Sequence, residues 1–328
     1  MELDPLVRKA VDLTPGFTTR TPLLRCLSPR LAKGPQLFAK LENLQRTGSF
    51  KFRGAYFRVS QLSSSEKRSG VLTYSSGNFG IALAEAGRLF DVPVTIVVPP
   101  DAPASKCDAI RARGAVIKKS LLGAKGRETS AEEYARNYAS RNAVTLLHPF
   151  EDSQLIAGHA TLALELFDQA AEHGIELDHL FIPGGGGGLL AACVTARNIA
   201  GVRTAIHCVE PAGYNSIQLS LQQGKRSAAP DGSSTICDAL QAEKPGAIAF
   251  DLINGQAPSC HSVSDPSVVH AMRLLFDEFH IVVEPSSALA LAGILAQWQQ
   301  LQKGTNVACL LTGGNISYTE FSRHLEAA

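Results

Sequence analysis

Short apolar runs alternate with longer amphipathic stretches along the whole chain, and this alternation predicts its secondary structure. The runs are rich in Val, Ile, Leu and Phe, which is typical of strands buried on both faces and hence of parallel sheets covered by helices. The fold class is therefore predicted to be α/β, of the open, wound kind. The predicted strands are 37–41, 71–74, 94–98, 115–118, 144–147, 180–183, 205–210 and 308–312. The predicted helices include 50–62, 78–90, 105–113, 131–141 and 153–171, and the polar segment 222–234 is predicted to be a loop.

Length and charge limit the classes of protein that the chain can belong to. It has 328 residues, enough for two modest domains or one large α/β unit, and a formal net charge of +1 from 31 basic and 30 acidic side chains. A net charge this close to zero does not indicate binding to nucleic acid or to an acidic membrane surface. Association is easier near zero net charge, so we expect an oligomer, most simply a homodimer. We see no secretion signal and no apolar stretch long enough to cross a bilayer, and we expect a cytoplasmic protein.

The seven cysteines are widely spaced, and none belongs to a Cys-x-x-Cys pair. Several lie inside apolar runs, as Cys193 and Cys309 do. Free thiols in such runs usually behave as small buried hydrophobes in a reducing cytosol. We therefore predict buried, unpaired cysteines.

Five consecutive glycines, residues 184–188, follow the predicted strand that ends at Pro183. Ligands of open α/β sheets bind beyond the carboxyl ends of the strands, where a loop enters the next helix. Glycine lets the backbone approach an oxyanion closely, and the start of the following helix offers unpaired N–H groups. No Gly-Lys-Ser/Thr follows, so the run is not a nucleotide P-loop. It predicts a phosphate site, with a flexible loop as the alternative.

A candidate catalytic lysine lies within Ser-Phe-Lys-Phe-Arg-Gly at residues 49–54. Ser49 is predicted to be a helix N-cap, which would place Lys51 in the first turn, beside Arg46, Arg53 and the positive end of the helix dipole. These neighbours disfavour the charged ammonium, and a lysine that forms a Schiff base needs its neutral amine. Taken alone, a first-turn lysine is more often a solvated surface residue.

A candidate carboxylate site, Ser-Ser-Gly-Asn at residues 75–78, follows the predicted strand 71–74. Two hydroxyls, an amide and the exposed N–H groups of a helix start make a cradle for a carboxylate. Taken alone, the segment is more often an ordinary helix cap.

Together and in this order, these segments resemble the serine/threonine dehydratase and serine racemase branch of the tryptophan-synthase-β-like (fold type II) pyridoxal-phosphate enzymes. Other matching segments are Glu-Pro-Ser-Ser-Ala at 284–288, Thr-Gly-Gly-Asn at 312–315 and Ala-Gly-His-Ala-Thr at 157–161. The resemblance covers nearly the whole chain. It implies two open, twisted, mostly parallel sheets flanked by helices. It also implies a small domain of residues 70–147, inserted into a large cofactor-binding domain of residues 1–69 and 148–328.

The resemblance implies a cofactor, pyridoxal 5′-phosphate, and a role for each matching residue. Lys51 would carry the cofactor covalently and, once released, act as the base. The implied cofactor contacts are Phe50, Asn78 at the phenolic oxygen, Gly185, Gly186, Gly187, Gly188 and Leu189 at the phosphate, and Thr312 at the pyridine nitrogen. The implied contacts with the substrate carboxylate are Ser75, Ser76, Gly77 and Asn78.

Thr312 bears on the type of reaction that the resemblance implies. A hydroxyl cannot hold a proton on the pyridine nitrogen as a carboxylate does, so the ring withdraws electrons less strongly. Expulsion of a β-hydroxyl is then favoured over transamination. The implied reaction removes water and then ammonia from a small β-hydroxy amino acid, L-threonine or L-serine, and releases a 2-oxo acid.

Three positions limit what the resemblance carries over. Phe79 stands where many relatives have His, so no role of that His is transferred. Ser76 stands where racemase-type relatives have a serine that can reprotonate the substrate and many dedicated dehydratases have Ala, which leaves racemase side activity open. Ser216 stands where metal-binding relatives have Asp, so we predict no divalent cation, although Glu210 is a weak candidate ligand.

Four ionisable residues lie close together near a predicted helix end without a recognisable metal spacing, and we predict cap and surface roles for them. They are Asp277, Glu278, His280 and Glu284. Three other functions stay open: a serine racemase, a hydroxyaspartate dehydratase and a catalytically silent cofactor-binding protein. The second would need an additional cation for the distal carboxylate of its substrate. A β-replacement enzyme is disfavoured because its lysine segment differs.

Overall fold

The structure, a computed structural model, describes residues 3–120, 127–229 and 234–326 of the chain. Its strands are β1 Leu23–Cys26, β2 Gln36–Leu41, β3 Val71–Tyr74, β4 Val94–Val98, β5 Val116–Lys119, β6 Thr145–Leu146, β7 His179–Pro183, β8 Ala205–Pro211, β9 Ser259–Val263 and β10 Asn306–Leu311. Its helices are α1 Asp4–Leu13, α2 Lys51–Ser60, α3 Ser64–Ser69, α4 Asn78–Leu89, α5 Ala104–Arg111, α6 Arg127–Arg141, α7 Ser153–Glu172, α8 Gly188–Ala200, α9 Ser216–Gln223, α10 Ala247–Ile253, α11 Asp265–Phe279, α12 Pro285–Ala296 and α13 Tyr318–Glu326. Short 3₁₀ turns cover Pro29–Leu31, Glu42–Leu44 and Asp238–Leu240.

The strands form two sheets. The larger has the order β1-β2-β10-β7-β8-β9, and every neighbouring pair is parallel except β1 with β2. The smaller has the order β5-β4-β3-β6 and is wholly parallel. All four strands of the smaller sheet lie between residues 71 and 146, inside the range predicted as the small domain. The division into two domains stays a prediction.

Both faces of the larger sheet are buried, as the apolar runs predict. Along β10, Val307, Cys309 and Leu311 pack into a core that includes α11 and α12, whereas Ala308 and Leu310 pack into a second core that includes α7 and α8. The smaller sheet is likewise covered, with α4 and α5 in one core and α6 in another. The chain is therefore α/β, with two mostly parallel sheets between helices.

The sequence predictions hold best for the central strands. The predicted strands 71–74 and 94–98 match β3 and β4, and the other predicted strands end within two residues of the observed bounds. β1 and β9 were not predicted, because both lie at an edge of the larger sheet and are partly exposed, so neither is a continuous apolar run. The predicted loop 222–234 begins too early, since α9 ends at Gln223, and residues 230–233 lie outside the described part of the chain.

All seven cysteines are free, and only Cys260 among them is not fully buried, as predicted. Within the described ranges, the helices are too short or too polar for any of them to cross a membrane.

The topology gathers the candidate loops. Residues 75–78, 184–187 and 312–315 follow β3, β7 and β10 directly, at the carboxyl ends of parallel strands. Such positions are where ligands of open α/β sheets bind.

Candidate active site

The lysine segment enters α2 differently from the sequence prediction. The helix begins at Lys51, and its N-cap is Phe50, which makes no side-chain capping bond. Ser49 is instead held in an isolated antiparallel bridge to Gly313, and its buried Oγ has no hydrogen-bond partner. The prediction that Ser49 caps the helix is therefore wrong, whereas the place of Lys51 in the first turn is confirmed.

The amine of Lys51 points into the space between several loops. Its Nζ donates a hydrogen bond to the backbone oxygen of Pro149 at 2.9 Å. It also lies 5.3 Å from the ring centroid of Phe50 and 5.8 Å from that of Phe79. The amine is partly exposed and lies beside two aromatic rings and a backbone carbonyl, where a small aldehyde can reach it.

The arginines beside Lys51 have acidic partners of their own, contrary to the sequence argument. Arg46 Nε donates to Glu85 Oε1 at 3.0 Å. Arg53 Nη2 donates to Glu42 Oε1 at 2.7 Å and to Glu165 Oε1 at 3.0 Å, in a buried cluster. Their charges therefore act mainly on these carboxylates, and the Arg53 cluster anchors the first turn of α2.

Backbone and amide hydrogen bonds tie the lysine segment to the loop after β10. The N–H of Phe50 donates to the oxygen of Thr312 at 3.0 Å, and the N–H of Gly314 donates to the oxygen of Gly48 at 2.9 Å. Asn315 Nδ2 donates to the oxygen of Thr47 at 2.9 Å. Thr312 is thus fixed directly beside the residue that precedes Lys51.

Asn78, the first residue of α4, is oriented by two partners. Its Oδ1 accepts from Asn315 Nδ2 at 2.7 Å, and its Nδ2 donates to Glu284 Oε1 at 2.6 Å. The amide therefore has a fixed orientation, with one further N–H left on Nδ2 for a ligand. This arrangement is compatible with the implied contact to a phenolic oxygen.

Glu284 is the clearest correction to the sequence analysis. We predicted a cap or surface group. Glu284 does occupy the N-cap position of α12, but its side chain makes no capping bond. The residue is 3% exposed rather than on the surface, it contacts Asn78, and its Oε2 has no hydrogen-bond partner. Burial raises the pKa of Glu284 to about 7, and Asp238 acts in the same direction, whereas Lys106 and Asn78 oppose it. Asp277, another of the four residues predicted to have cap and surface roles, is exposed, as predicted.

The raised pKa of Glu284 predicts how the stability of the protein changes with pH. Because its folded pKa is raised, the protonated form favours folding, and its contribution to stability is lost as pH rises from 4.5 through 7. The variant Glu284→Gln can still accept a hydrogen bond from Asn78 but cannot ionise. As the pH rises over this range, wild type should lose up to about 3 kcal/mol of its free energy of unfolding relative to this variant. Urea titrations at several pH values measure it, with Asp277→Asn as the exposed control. An unchanged difference between pH 4.5 and 7.5 would contradict the prediction.

The serine loop lies at the mouth of the site. Ser75, Ser76 and Gly77 are partly exposed, and Gly77 precedes α4 as its N-cap. The N–H of Gly77 lies 3.4 Å from Ser75 Oγ. Two accessible hydroxyls at the positive end of α4 are therefore available to an anionic group.

The glycine run forms a tight cradle at the start of α8. A Cβ added to Gly186 would lie 2.5 Å from Phe150 Cδ2, and one added to Gly184 would lie 2.5 Å from Cys208 Sγ. Gly187 has φ of +85°, which other residues rarely adopt. The backbone N–H groups of Gly188 and Leu189, in the first turn of α8, have no acceptor within the helix. Side chains at residues 184 and 186 would clash with these neighbours, so only glycine allows this path of the backbone, and the path is compatible with a phosphate bound by the N–H groups.

Glu210, the weak metal candidate, has a structural use. Its two oxygens accept the backbone N–H groups of Ile217 and Gln218 at 2.8 and 2.9 Å, and so cap α9. Burial raises the pKa of Glu210 to about 7. Within the described residues, no three His, Cys, Asp or Glu side chains converge as metal ligands. These contacts weaken the case for Glu210 as a metal ligand.

Three groups of the site were not found from the sequence as functional groups: the carbonyl of Pro149, the ring of Phe150 and the amide of Asn315. Asn315 and Glu284 did lie in segments that carry the family resemblance, so the motif was a signal. Nothing in the sequence marks the segment around Pro149, because its importance depends on a contact with Lys51 across 98 positions.

Comparisons with known proteins identify the family to which the chain is similar. The family model described as "Pyridoxal-phosphate dependent enzyme" matches residues 15–313. An L-threo-3-hydroxyaspartate ammonia-lyase from Pseudomonas sp is 35% identical over 320 residues, which cover 98% of this chain and 97% of the relative. A serine racemase from Dictyostelium discoideum is 35% identical over 322 residues, covering 97% and 96%. The structure of threonine deaminase isoform 2 from Solanum lycopersicum superposes with a TM-score of 0.90 at 30% identity, covering 100% of this chain and 88% of the other.

The chain therefore belongs to the family of pyridoxal-phosphate-dependent enzymes. Its fold is that of the fold type II branch, and its cofactor is pyridoxal 5′-phosphate. Both expectations from the sequence motifs are thereby confirmed. The roles of the individual residues stay predictions.

Proposed function

We propose that the enzyme removes water and then ammonia from L-threonine and L-serine. The observation that carries the proposal is the arrangement of four groups around one place: the amine of Lys51, the loop 75–78, the glycine cradle and Thr312, each fixed by the contacts described above. A hydroxyl, rather than a carboxylate, stands at position 312. That choice favours elimination over transamination.

The proposed cofactor contacts are those that the family resemblance implies, and the geometry is compatible with them. Lys51 would hold the aldehyde carbon, and the backbone of Gly185 to Leu189 would hold the phosphate. Asn78, oriented by its two partners, would donate to the phenolic oxygen, and the Thr312 hydroxyl would face the ring nitrogen. The ring of Phe50 lies beside the lysine amine and would border the cofactor.

The side chains divide the proposed chemistry among them. When bound, the cofactor would supply an electron-withdrawing ring and a phosphate that could protonate the leaving hydroxyl. Ser75, Ser76, Gly77 and Asn78 hold the substrate carboxylate and so fix which face of the α-carbon meets Lys51. Once the substrate's amino group has displaced it from the cofactor, the neutral amine of Lys51 would remove the α-proton. Ammonia and a 2-oxo acid leave after hydrolysis.

The cations near the site are already paired with acidic side chains, and this favours a substrate with an uncharged β-substituent. A hydroxyaspartate needs a cation for its second carboxylate. Arg46 is paired with Glu85, and Lys106 with Asp238 at 2.5 Å. Among the cations that the structure describes around these loops, Arg53 is also paired, within its buried cluster. A second substrate carboxylate would have to compete with these acids.

A substrate panel tests the proposal. The enzyme is incubated with L-serine, L-threonine and the diastereomers of 3-hydroxyaspartate, and both 2-oxo acid and enantiomer exchange are measured. We expect oxo acid and ammonia from L-threonine and L-serine at kcat/KM values above those for the hydroxyaspartates. Interconversion of enantiomers without ammonia would overturn the proposal in favour of a racemase. Activity on a hydroxyaspartate alone would favour the lyase of that substrate.

Racemisation is a second candidate because Ser76, in the loop 75–78 that would hold the substrate carboxylate, has an accessible hydroxyl. We predict that Ser76→Ala abolishes any exchange of serine enantiomers, because the second proton donor is lost, and changes kcat for elimination by less than about tenfold. Ser75→Ala is the matched control and should raise KM for both reactions. If Ser76→Ala lowers the rate of elimination by the same factor as the rate of enantiomer exchange, this division of roles is wrong.

We also propose that the enzyme is a cytoplasmic homodimer. The net charge of +1 and the exposed apolar side chains, such as Leu27 at 72% exposure, support association, and the free cysteines fit a reducing compartment. Sedimentation equilibrium should give twice the chain mass. A monomer at micromolar concentration would contradict the proposal.

A further inference from the structure

The turn at residues 148–151 is held by the ring of His148. Its Nδ1 accepts the backbone N–H of Glu151 at 3.0 Å and that of Phe150 at 3.4 Å. A ring nitrogen that accepts hydrogen bonds carries no proton, so the neutral ring keeps its proton on Nε2. Nε2 lies 2.7 Å from Tyr74 Oη and donates to it.

This turn also contacts the candidate cofactor lysine. Pro149, its second residue, presents a carbonyl oxygen to Lys51 Nζ at 2.9 Å. The proline ring fixes φ, so the direction of this carbonyl depends on how the turn closes. The closure in turn depends on the acceptor that His148 provides. The turn thereby aims a backbone carbonyl at the amine.

The same turn reaches the other two loops of the site. The ring of Phe150 is perpendicular to that of His148, with the centroids 4.6 Å apart, and it fills the space beside Gly186. Tyr74, the partner of His148, is the last residue of β3 and directly precedes Ser75. His148 thus lies where the lysine, the glycine cradle and the serine loop approach one another.

We propose that His148 is a positioning residue for Lys51: by accepting the N–H groups of its turn, it aims the Pro149 carbonyl at the lysine amine and holds that amine for attack on the cofactor aldehyde. The inference rests on the proposed role of Lys51. It adds a residue that no sequence motif and no comparison assigns.

This positioning role requires a neutral His148 ring. A proton on Nδ1 would point at the backbone N–H groups of Phe150 and Glu151, whose hydrogen bonds Nδ1 accepts in the neutral ring. Burial lowers the pKa of His148, with Arg136 and Lys51 acting in the same direction and Glu151 and Glu132 opposing them. The turn therefore stays closed at neutral pH.

Two variants of similar size separate the acceptor from the bulk of the ring. In His148→Asn, the side-chain oxygen can accept backbone N–H groups that follow it, as in an Asx turn, whereas His148→Leu offers no acceptor. The full-length chain, freed of cofactor, is mixed with pyridoxal 5′-phosphate, and its capture is followed by visible absorbance and by reductive labelling of Lys51. We expect capture about tenfold slower in His148→Leu, and within about threefold of wild type in His148→Asn.

Affinity for pyridoxamine phosphate, which has no aldehyde, serves as the control for the glycine cradle. It should change much less than the capture rate, although Phe150 of this turn lies beside Gly186. The inference is overturned if His148→Leu captures the cofactor as fast as wild type, if His148→Asn is as slow as His148→Leu, or if affinity for pyridoxamine phosphate falls as much as the capture rate. If wild type itself never labels Lys51, the proposed function fails, whatever the variants do.

Discussion

Replacement of Lys51 by alanine should lower kcat by at least about 10⁴-fold, because one amine serves both as the covalent anchor and as the base for the α-proton. The phosphate cradle is built from backbone 133 or more positions later in the chain and should still hold the cofactor. We therefore expect a protein that binds pyridoxal 5′-phosphate without covalent capture. Initial rates of 2-oxo acid release and the visible spectrum after dialysis measure the two effects.

Lys9→Ala, at an exposed position of α1, is the matched control and should leave both measurements unchanged. Ordinary turnover by Lys51→Ala would contradict the proposed role. A Lys51→Ala protein that retains the absorbance of a covalently bound cofactor would show that another lysine carries it.

The second large effect concerns the buried ion cluster beneath Lys51. Arg53 is 1% exposed, and its guanidinium donates to the carboxylates of Glu42 and Glu165. Burial opposes the charge of Glu42, but Arg53, with smaller contributions from Thr21 and Lys40, outweighs it, and the pKa of this carboxyl is lowered. Arg53→Met leaves the buried Glu42 without its main partner and should lower the free energy of unfolding by about 3–5 kcal/mol.

Urea titration measures this loss, and Arg8→Met is the control. Arg8 pairs with Asp4 on the surface of α1, where loss of a pair costs less than about 1 kcal/mol. The double variant Arg53→Met with Glu42→Gln should recover part of the loss, because no unpaired carboxylate then remains at position 42. Equal losses for Arg53→Met and Arg8→Met would contradict the account of the cluster.

The parts that follow from local sequence were predictable. The glycine run and the loop 75–78 lie directly after apolar runs, and a strand buried on both faces can be recognised without knowing its neighbours. The order of these segments with the lysine motif was enough to indicate the family. The edge strands β1 and β9 were missed because partly exposed strands lack the same continuous pattern.

The hydrogen bonds that orient the site could not be predicted in this way. Asn78 lies more than 200 positions before both Glu284 and Asn315, and its contacts with them depend on how the two sheets place β3 and β10. Ser49 failed as a predicted cap for the same reason, since its bridge to Gly313 comes from a distant loop. Charges near Lys51 were misjudged because their acidic partners lie on other elements.

The central claim is that the amine of Lys51 carries the cofactor, and reductive trapping tests it most directly. The purified enzyme is reduced with borohydride and digested, and the peptides are analysed by mass spectrometry. The account predicts a pyridoxyl group on residue 51 and loss of the yellow colour. A pyridoxyl group on any other lysine, or none at all, would contradict it.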